Sequence, residues 1–119
     1  MPVIPSEELD RVLIALSDTT RRAIPTTLAA GPQRVTNVAR PFALSLNSVS
    51  KHLRILESAG MVTRERRGRE HIISINPRPL QGIQAWLIEQ QEVWGRRMRD
   101  LENHLDTRPS SPTENLDKY

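Results

Sequence analysis

Three arginines crowd around one glycine in the stretch Arg66-Arg67-Gly68-Arg69. Guanidinium groups packed this closely repel one another unless an anion lies near, and a phosphate backbone or a narrow minor groove supplies one. A solvated basic loop is the plainer alternative. Upstream lies a second set, Ser45, Asn47, Ser48, Ser50, Lys51, His52 and Arg54. Short polar and basic groups near a helix start suit hydrogen bonds to base edges and phosphates in a major groove. Two of them have a competing structural use. Ser45 suits a helix N-cap, and His52 lies beside an apolar face where a packed, hydrogen-bonded ring competes evenly with a phosphate contact.

The charge distribution agrees with this pairing. The chain of 119 residues carries a formal net charge of only +3. Between Arg34 and Arg78, however, nine basic residues face three acidic ones, a local +6, and the remainder nets −3. A basic middle flanked by compensating ends is the electrostatic footprint of a polyanion binder.

Other chemistries have little support. There is no cysteine, which excludes disulfides, thiolate nucleophiles and Cys-based metal sites. His52, His71 and His104 are far apart, and no Ser-His-acid spacing or glycine-rich phosphate loop occurs. An enzyme and a bound cofactor are therefore not expected. Asp100, Glu102, His104 and Asp106 set a single His among acids that alternate around a helix, which fits a solvated helix end better than a metal site. No apolar run approaches a membrane span and the N-terminus lacks a signal-peptide layout, so a cytoplasmic protein is expected.

The elements that must position these groups follow from pattern and punctuation. Ser6 as N-cap and an apolar stripe of Leu9, Val12, Leu13 and Leu16 predict a first helix over Ser6–Leu16. Asp18 caps a second, Thr19–Ala30, which Gly31 and Pro32 end and which Pro25 should kink. A short third helix starts after a cap-like Thr36 and ends near Phe42. A fourth runs from Leu46 to Ala59 and stops at Gly60. Strands Met61–Glu65 and His71–Ile75 enclose the arginine loop as a β-hairpin. A long helix, about Leu80–Leu105, closes the pattern.

Helix, short helix, tight turn, helix and basic hairpin is the order of a winged helix-turn-helix, a mainly α, α+β fold. Ala39, Ala43 and Val49 supply the small, turn and branched apolar positions of the motif, and a positive φ at Ala43 would store strain of about 1 kcal/mol. One domain is expected over 6–106, with an N-terminal extension at 1–5 and a disordered tail at 107–119. The first helix's stripe, and Ile83, Leu87, Trp94, Met98, Leu101 and Leu105 on the last, exceed what one small domain can bury. They predict a homodimer anchored by Trp86 and Trp94.

Several segments resemble the ArsR-type transcriptional regulators. They are Ala15–Ile24, Ala39–Phe42, the run Ser48-Val49-Ser50-Lys51-His52-Leu53-Arg54-Ile55-Leu56-Glu57-Ser58-Ala59-Gly60-Met61-Val62, and Arg66–Arg69. The resemblance spans about Leu9 to Leu105. The closing Trp86, Trp94, Arg97, Leu101, Glu102 and Leu105 look like the subgroup without a metal site. It implies a dimer formed through the first and last helices that binds a palindromic operator in duplex DNA, often its own promoter, as a repressor released by a signal whose identity the residues do not name. The expected contact residues are Thr36, Ser45, Asn47, Ser48, Ser50, Lys51, His52, Arg54, Arg66, Arg67 and Arg69. Two other functions remain open, a metal-responsive repressor with a non-cysteine site on the last helix and a winged-helix module that binds protein. Pro25, Thr26 and Thr27 depart from the apolar stretch usual in the family, and the family's cysteine pair is absent.

Overall fold

The structure, a computed structural model, describes residues 4–106. Its elements are α1 (Ser6–Ala15), α2 (Thr19–Thr27), β1 (Gln33–Arg34), α3 (Val35–Ala39), α4 (Leu46–Ser58), β2 (Val62–Arg67), β3 (Glu70–Ile75) and α5 (Arg78–Asp106). Two compact units result, one ending at Ala85 and one beginning at Trp86. The tail expected from residue 107 lies outside the described residues.

The first unit is a winged helix. Its core is built from one face of each helix: Val12 and Ala15 from α1, Ile24 from α2, Val38 from α3, and Val49, Leu53 and Leu56 from α4. Leu28, Ala59, Met61, Val62 and Ile73 add to it. On α4 the three buried residues follow a 4-3 spacing, so one helix side faces the core and the other is left to solvent. The sheet order is β1-β3-β2, antiparallel throughout, with Gln33 opposite Ile73 and Val62 opposite Ile75. The two-residue β1 has no apolar alternation of its own and was absent from the expected elements. Its pairing with β3 ties the entrance of α3 to the wing.

Boundaries shift where local chemistry decides them. Pro5, not Ser6, precedes α1, and no side chain caps that helix. Thr36 lies inside α3, whose N-cap is Arg34, so its cap-like role is not realised. The helix α2 continues through Pro25 and ends at Thr27, three residues earlier than expected. There the Thr27 hydroxyl donates to the Ile24 carbonyl at 2.7 Å, and Ala29 N–H reaches back only three residues to Thr26. Tightened three-residue bonds of this sort close a helix end. Among the described residues none other than glycine has a positive φ, so Ala43 stores none of the anticipated strain.

The end of α4 follows the expected rule. Gly60 has φ 75°, its N–H bonds the Glu57 carbonyl, and Met61 N–H bonds that of Leu56. This is a Schellman closure, which a left-handed glycine permits without a Cβ clash. Asn76 then joins the strand ends, its amide donating to the Gly60 carbonyl at 2.7 Å and its backbone N–H to Met61 at 2.8 Å.

Three apolar residues assigned elsewhere by sequence belong to this core. Ile4, expected in an extension ahead of the domain, is buried and lies so near Gly82 that a Cβ there would approach its own Cβ to 3.2 Å. Val12 and Ile83, expected on a dimer seam, are 0% and 9% exposed in the single chain. In the second unit α5 buries no side chain among those described, and Leu87, Ile88, Trp94, Met98 and Leu101 are exposed.

Leu53→Ala should lower the unfolding free energy by about 2–5 kcal/mol, while Lys51→Ala two residues away should stay within about 0.5 kcal/mol. Urea titrations of the two variants followed by circular dichroism compare the buried and open sides of α4.

Candidate nucleic-acid interface

The helix-turn-helix is assembled from α3 and α4, joined through residues 40–45. Ser45 caps α4, its Oγ accepting the Ser48 N–H at 3.1 Å and donating to the Ser48 Oγ at 3.0 Å. Both hydroxyls are thus engaged at the helix start, and Ser45 takes the capping use. Opposite the buried Val49, Leu53 and Leu56 stand Asn47, Lys51 and Arg54, all exposed. They recur at 4-3 spacing and so share one face. Their side chains make no hydrogen bond or ion pair among the described residues. Such a face can offer amide, ammonium and guanidinium donors to an external acceptor.

His52 sits on a different side. Its Nδ1 lies 3.1 Å from Arg21 Nη1 and 3.7 Å from the Asp18 carboxylate, and the ring is half-buried. Arg21 also donates from Nε to the Ala15 carbonyl at 2.7 Å and from Nη2 to that of Ile14 at 3.4 Å. One guanidinium therefore satisfies the Ala15 carbonyl at the C-terminus of α1, and adds a long bond to the Ile14 carbonyl that Ser17 already engages, while bonding the ring on α4. Arg22 adds a bond to the Leu16 carbonyl at 2.8 Å. Asp18, as expected, caps α2 by accepting the Arg21 N–H at 3.1 Å. That bond is the main reason its carboxyl is held below the usual 3.8; His52 and Arg21 add to the effect, and partial desolvation opposes it. The sequence flagged Arg21 and Arg22 only as part of a family-like stretch, and gave Asp18 and His52 no link to them. Their roles depend on contacts between separate helices.

The wing is a tight hairpin. Arg67 pairs with Glu70 across a two-residue turn of Gly68 and Arg69, so the strands extend further than the expected five-residue loop allowed. Gly68 has φ 63° and Arg69 has no positive φ, the combination of a II′ turn. Arg66, Arg67 and Arg69 are all exposed. Their mutual repulsion is partly relieved inside the chain. Arg67 forks onto Glu65 with bonds of 3.2 and 3.3 Å, and Arg66 Nε donates to the Gly68 carbonyl at 3.1 Å. Exposed pairs of this kind contribute only about 0–1 kcal/mol, so an arriving phosphate can replace them.

Comparison with known proteins meets the helix-turn-helix and stops short of the wing arginines in the family model. A helix-turn-helix domain family model matches residues 16–65. The chain is 33% identical over 98 residues to the HTH-type transcriptional regulator Rv2034 of Mycobacterium tuberculosis, covering 82% of this chain and 89% of that protein. The solved ArsR family transcriptional regulator RHA00566 is 37% identical, with a TM-score of 0.74 over 79% of this chain and 97% of its own. This chain belongs to the ArsR-type transcriptional regulators. The transcriptional repressor SdpR of Bacillus subtilis is also similar, 34% identical over 67% of this chain and 89% of that protein. This ArsR-type regulator places the helix-turn-helix and the wing in one unit. No group of three His, Asp or Glu side chains that could hold a metal forms among its described residues, and none of its described helices is long and apolar enough to cross a membrane.

In this regulator Asp18→Ala should lower the melting temperature at neutral pH. Because the folded-state carboxyl titrates below its unfolded value, its contribution is complete above about pH 3.8 and is lost as pH falls through the lower folded value. Thermal scans from pH 7 to pH 3 should show the gap between variant and parent closing toward acid.

Proposed function

We propose that this regulator is a cytoplasmic homodimer that binds a palindromic operator in duplex DNA and represses transcription by occupying it, without catalysis. The observation that carries this proposal is the exposed, unpartnered face of Asn47, Lys51 and Arg54 on a helix whose opposite face is locked into the core. A rigid helix aims directional donors at base edges, and Ser50 stands beside that face to extend it. The wing supplies charge instead of direction. Arg66, Arg67 and Arg69 on a narrow turn suit phosphates or a minor groove, and Thr36 and Ser48 border the helix start as backbone contacts. Ser45 and His52 act in this proposal as capping and positioning residues.

Dimerisation is supported by apolar surface. On α5, Leu87, Trp94, Met98 and Leu101 recur at 7-4-3 spacing and are exposed by about half or more, Trp94 by 61%. This is the a/d pattern of a helix that packs against a partner helix. On α1, Leu13 and Ile14 are exposed by 45% and 63%. Ile14 and Ile88 were missed by the sequence track because they lie one position off it. Leu9, Leu16, Trp86 and Leu105 are half-buried and retain surface for a seam, whereas Val12 and Ile83 do not contribute.

Two outcomes test the DNA contacts. Asn47→Ala or Lys51→Ala should cost about 1–3 kcal/mol per lost base contact and flatten preference at particular operator positions, as read by selection from a random DNA pool. The double variant Arg67→Ala, Arg69→Ala should weaken specific and non-specific duplexes alike. An unchanged salt slope in that variant removes the wing as a contact surface. Sedimentation should give a dimer at micromolar concentration, and Met98→Glu should shift it toward monomer without loss of helix content.

A further inference from the structure

Between the first turns of α4 and the outer part of the wing lies a cleft of about 300 Å³. Four separate elements bring cationic or imidazole side chains to it: Arg34 from β1, Arg64 from β2, Arg69 from the turn and His71 from β3. Two hydroxyls, Thr36 of α3 and Ser50 of α4, share the lining. Three of these residues, Arg34, Arg64 and His71, were not among the expected contact residues. Their convergence depends on β1 pairing with β3, which placed Arg34 opposite Ile72 and beside the wing.

The charges in the cleft are incompletely matched. Arg64 is held by Glu57 at 3.3 Å and Arg34 by Glu70 at 3.1 Å. Arg69, Thr36 and Ser50 have no side-chain partner among the described residues. The Arg34–Glu70 pair is itself more than half exposed, so it costs little to loosen. One unpaired guanidinium, a second that is loosely paired, and two unengaged hydroxyls around a concave space are the donor set a tetrahedral oxyanion requires. Carboxylates do not dominate, since Glu70 is the one acid in the lining.

We propose that this cleft is an oxyanion site that takes a phosphate group, held by Arg69 and Arg34 with donation from Thr36 and Ser50. Two sources carry that group. One is a phosphodiester of bound duplex DNA, and to that extent the site rests on the DNA-binding function proposed above. The other is a free phosphate or phosphomonoester, which would occupy the groove beside the reading face and displace DNA from it.

The test uses the full chain in two arms. In the first, inorganic phosphate is titrated into the labelled protein at constant ionic strength, with chloride as the reference. Amide shifts should appear at Thr36, Ser50 and Arg69, vanish in Arg69→Gln, and persist in Arg96→Gln on α5. In the second, a random-sequence duplex is bound over a range of salt concentrations. Arg34→Gln should lower the slope of log affinity against log salt by about 1.8 for a dimer, one phosphate per subunit, and Arg34→Lys should restore it. Matching melting curves establish that the variants are folded.

A response in the phosphate arm alone identifies a free anion as the ligand, and one in the salt arm alone identifies the phosphodiester. Responses in both identify a shared seat, in which phosphate should also compete with the duplex. No response in either arm overturns the site, even if the duplex still binds. If the duplex fails to bind while phosphate still shifts the cleft amides, the DNA-binding function falls and the oxyanion site stands.

Discussion

The Arg21 guanidinium is the contact on which the arrangement of the reading helix depends. It spans three elements at once, bonding the Ala15 and Ile14 carbonyls at the end of α1 and the His52 ring on α4, while its own backbone N–H is held by Asp18 at the start of α2. Helix ends leave polar groups that must find partners, and here one side chain satisfies the end of one helix while positioning another. With the His52 ring turned to α2 and the Leu53 side chain in the core, rotation of α4 about its axis is resisted from two directions. The face bearing Asn47, Lys51 and Arg54 then remains open.

The same economy governs where α4 begins and ends. The Ser45–Ser48 pair stops the helix from extending backward, and the Gly60 closure turns the chain into β2 within two residues. Asn76 then pins the exit of the wing to that turn. The reading helix and the wing are thus held by short-range bonds at both ends of the connection between them. Precise spacing between two elements proposed to face DNA needs such a rigid joint, since a contact misplaced by an ångström forfeits its hydrogen bond.

Electrostatics works on a looser principle. Arg34, Arg64 and Arg67 each rest against a glutamate, so the basic surface folds without bearing its full self-repulsion. The pairs of Arg34 and Arg67 are exposed and weak, and that of Arg64 is more sheltered. A surface that keeps its cations in exchangeable pairs can fold alone and still meet a polyanion, because each pair costs little to open and each phosphate contact releases a counterion.

Much of this was legible in the residues. The Asp18 and Ser45 caps, the Gly60 stop, the Val49-Leu53-Leu56 face and the hairpin about Gly68 are local, each set by chemistry within a few positions, and each is found where the pattern placed it. The order of elements followed from them, and with it the fold class. What the pattern misjudged is non-local. The strand β1 exists only because β3 offers it an edge, and Ile4, Val12 and Ile83 are core residues because of neighbours distant in sequence. Arg21 and His52 carry no signal of their meeting across 31 positions, and Arg34, Arg69 and Ser50 none of their shared cleft. Periodicity reports which side of an element is apolar, and caps report where it stops. Which of two apolar or basic groups is covered and which is left open is decided by packing between elements, and that exists only in the folded chain.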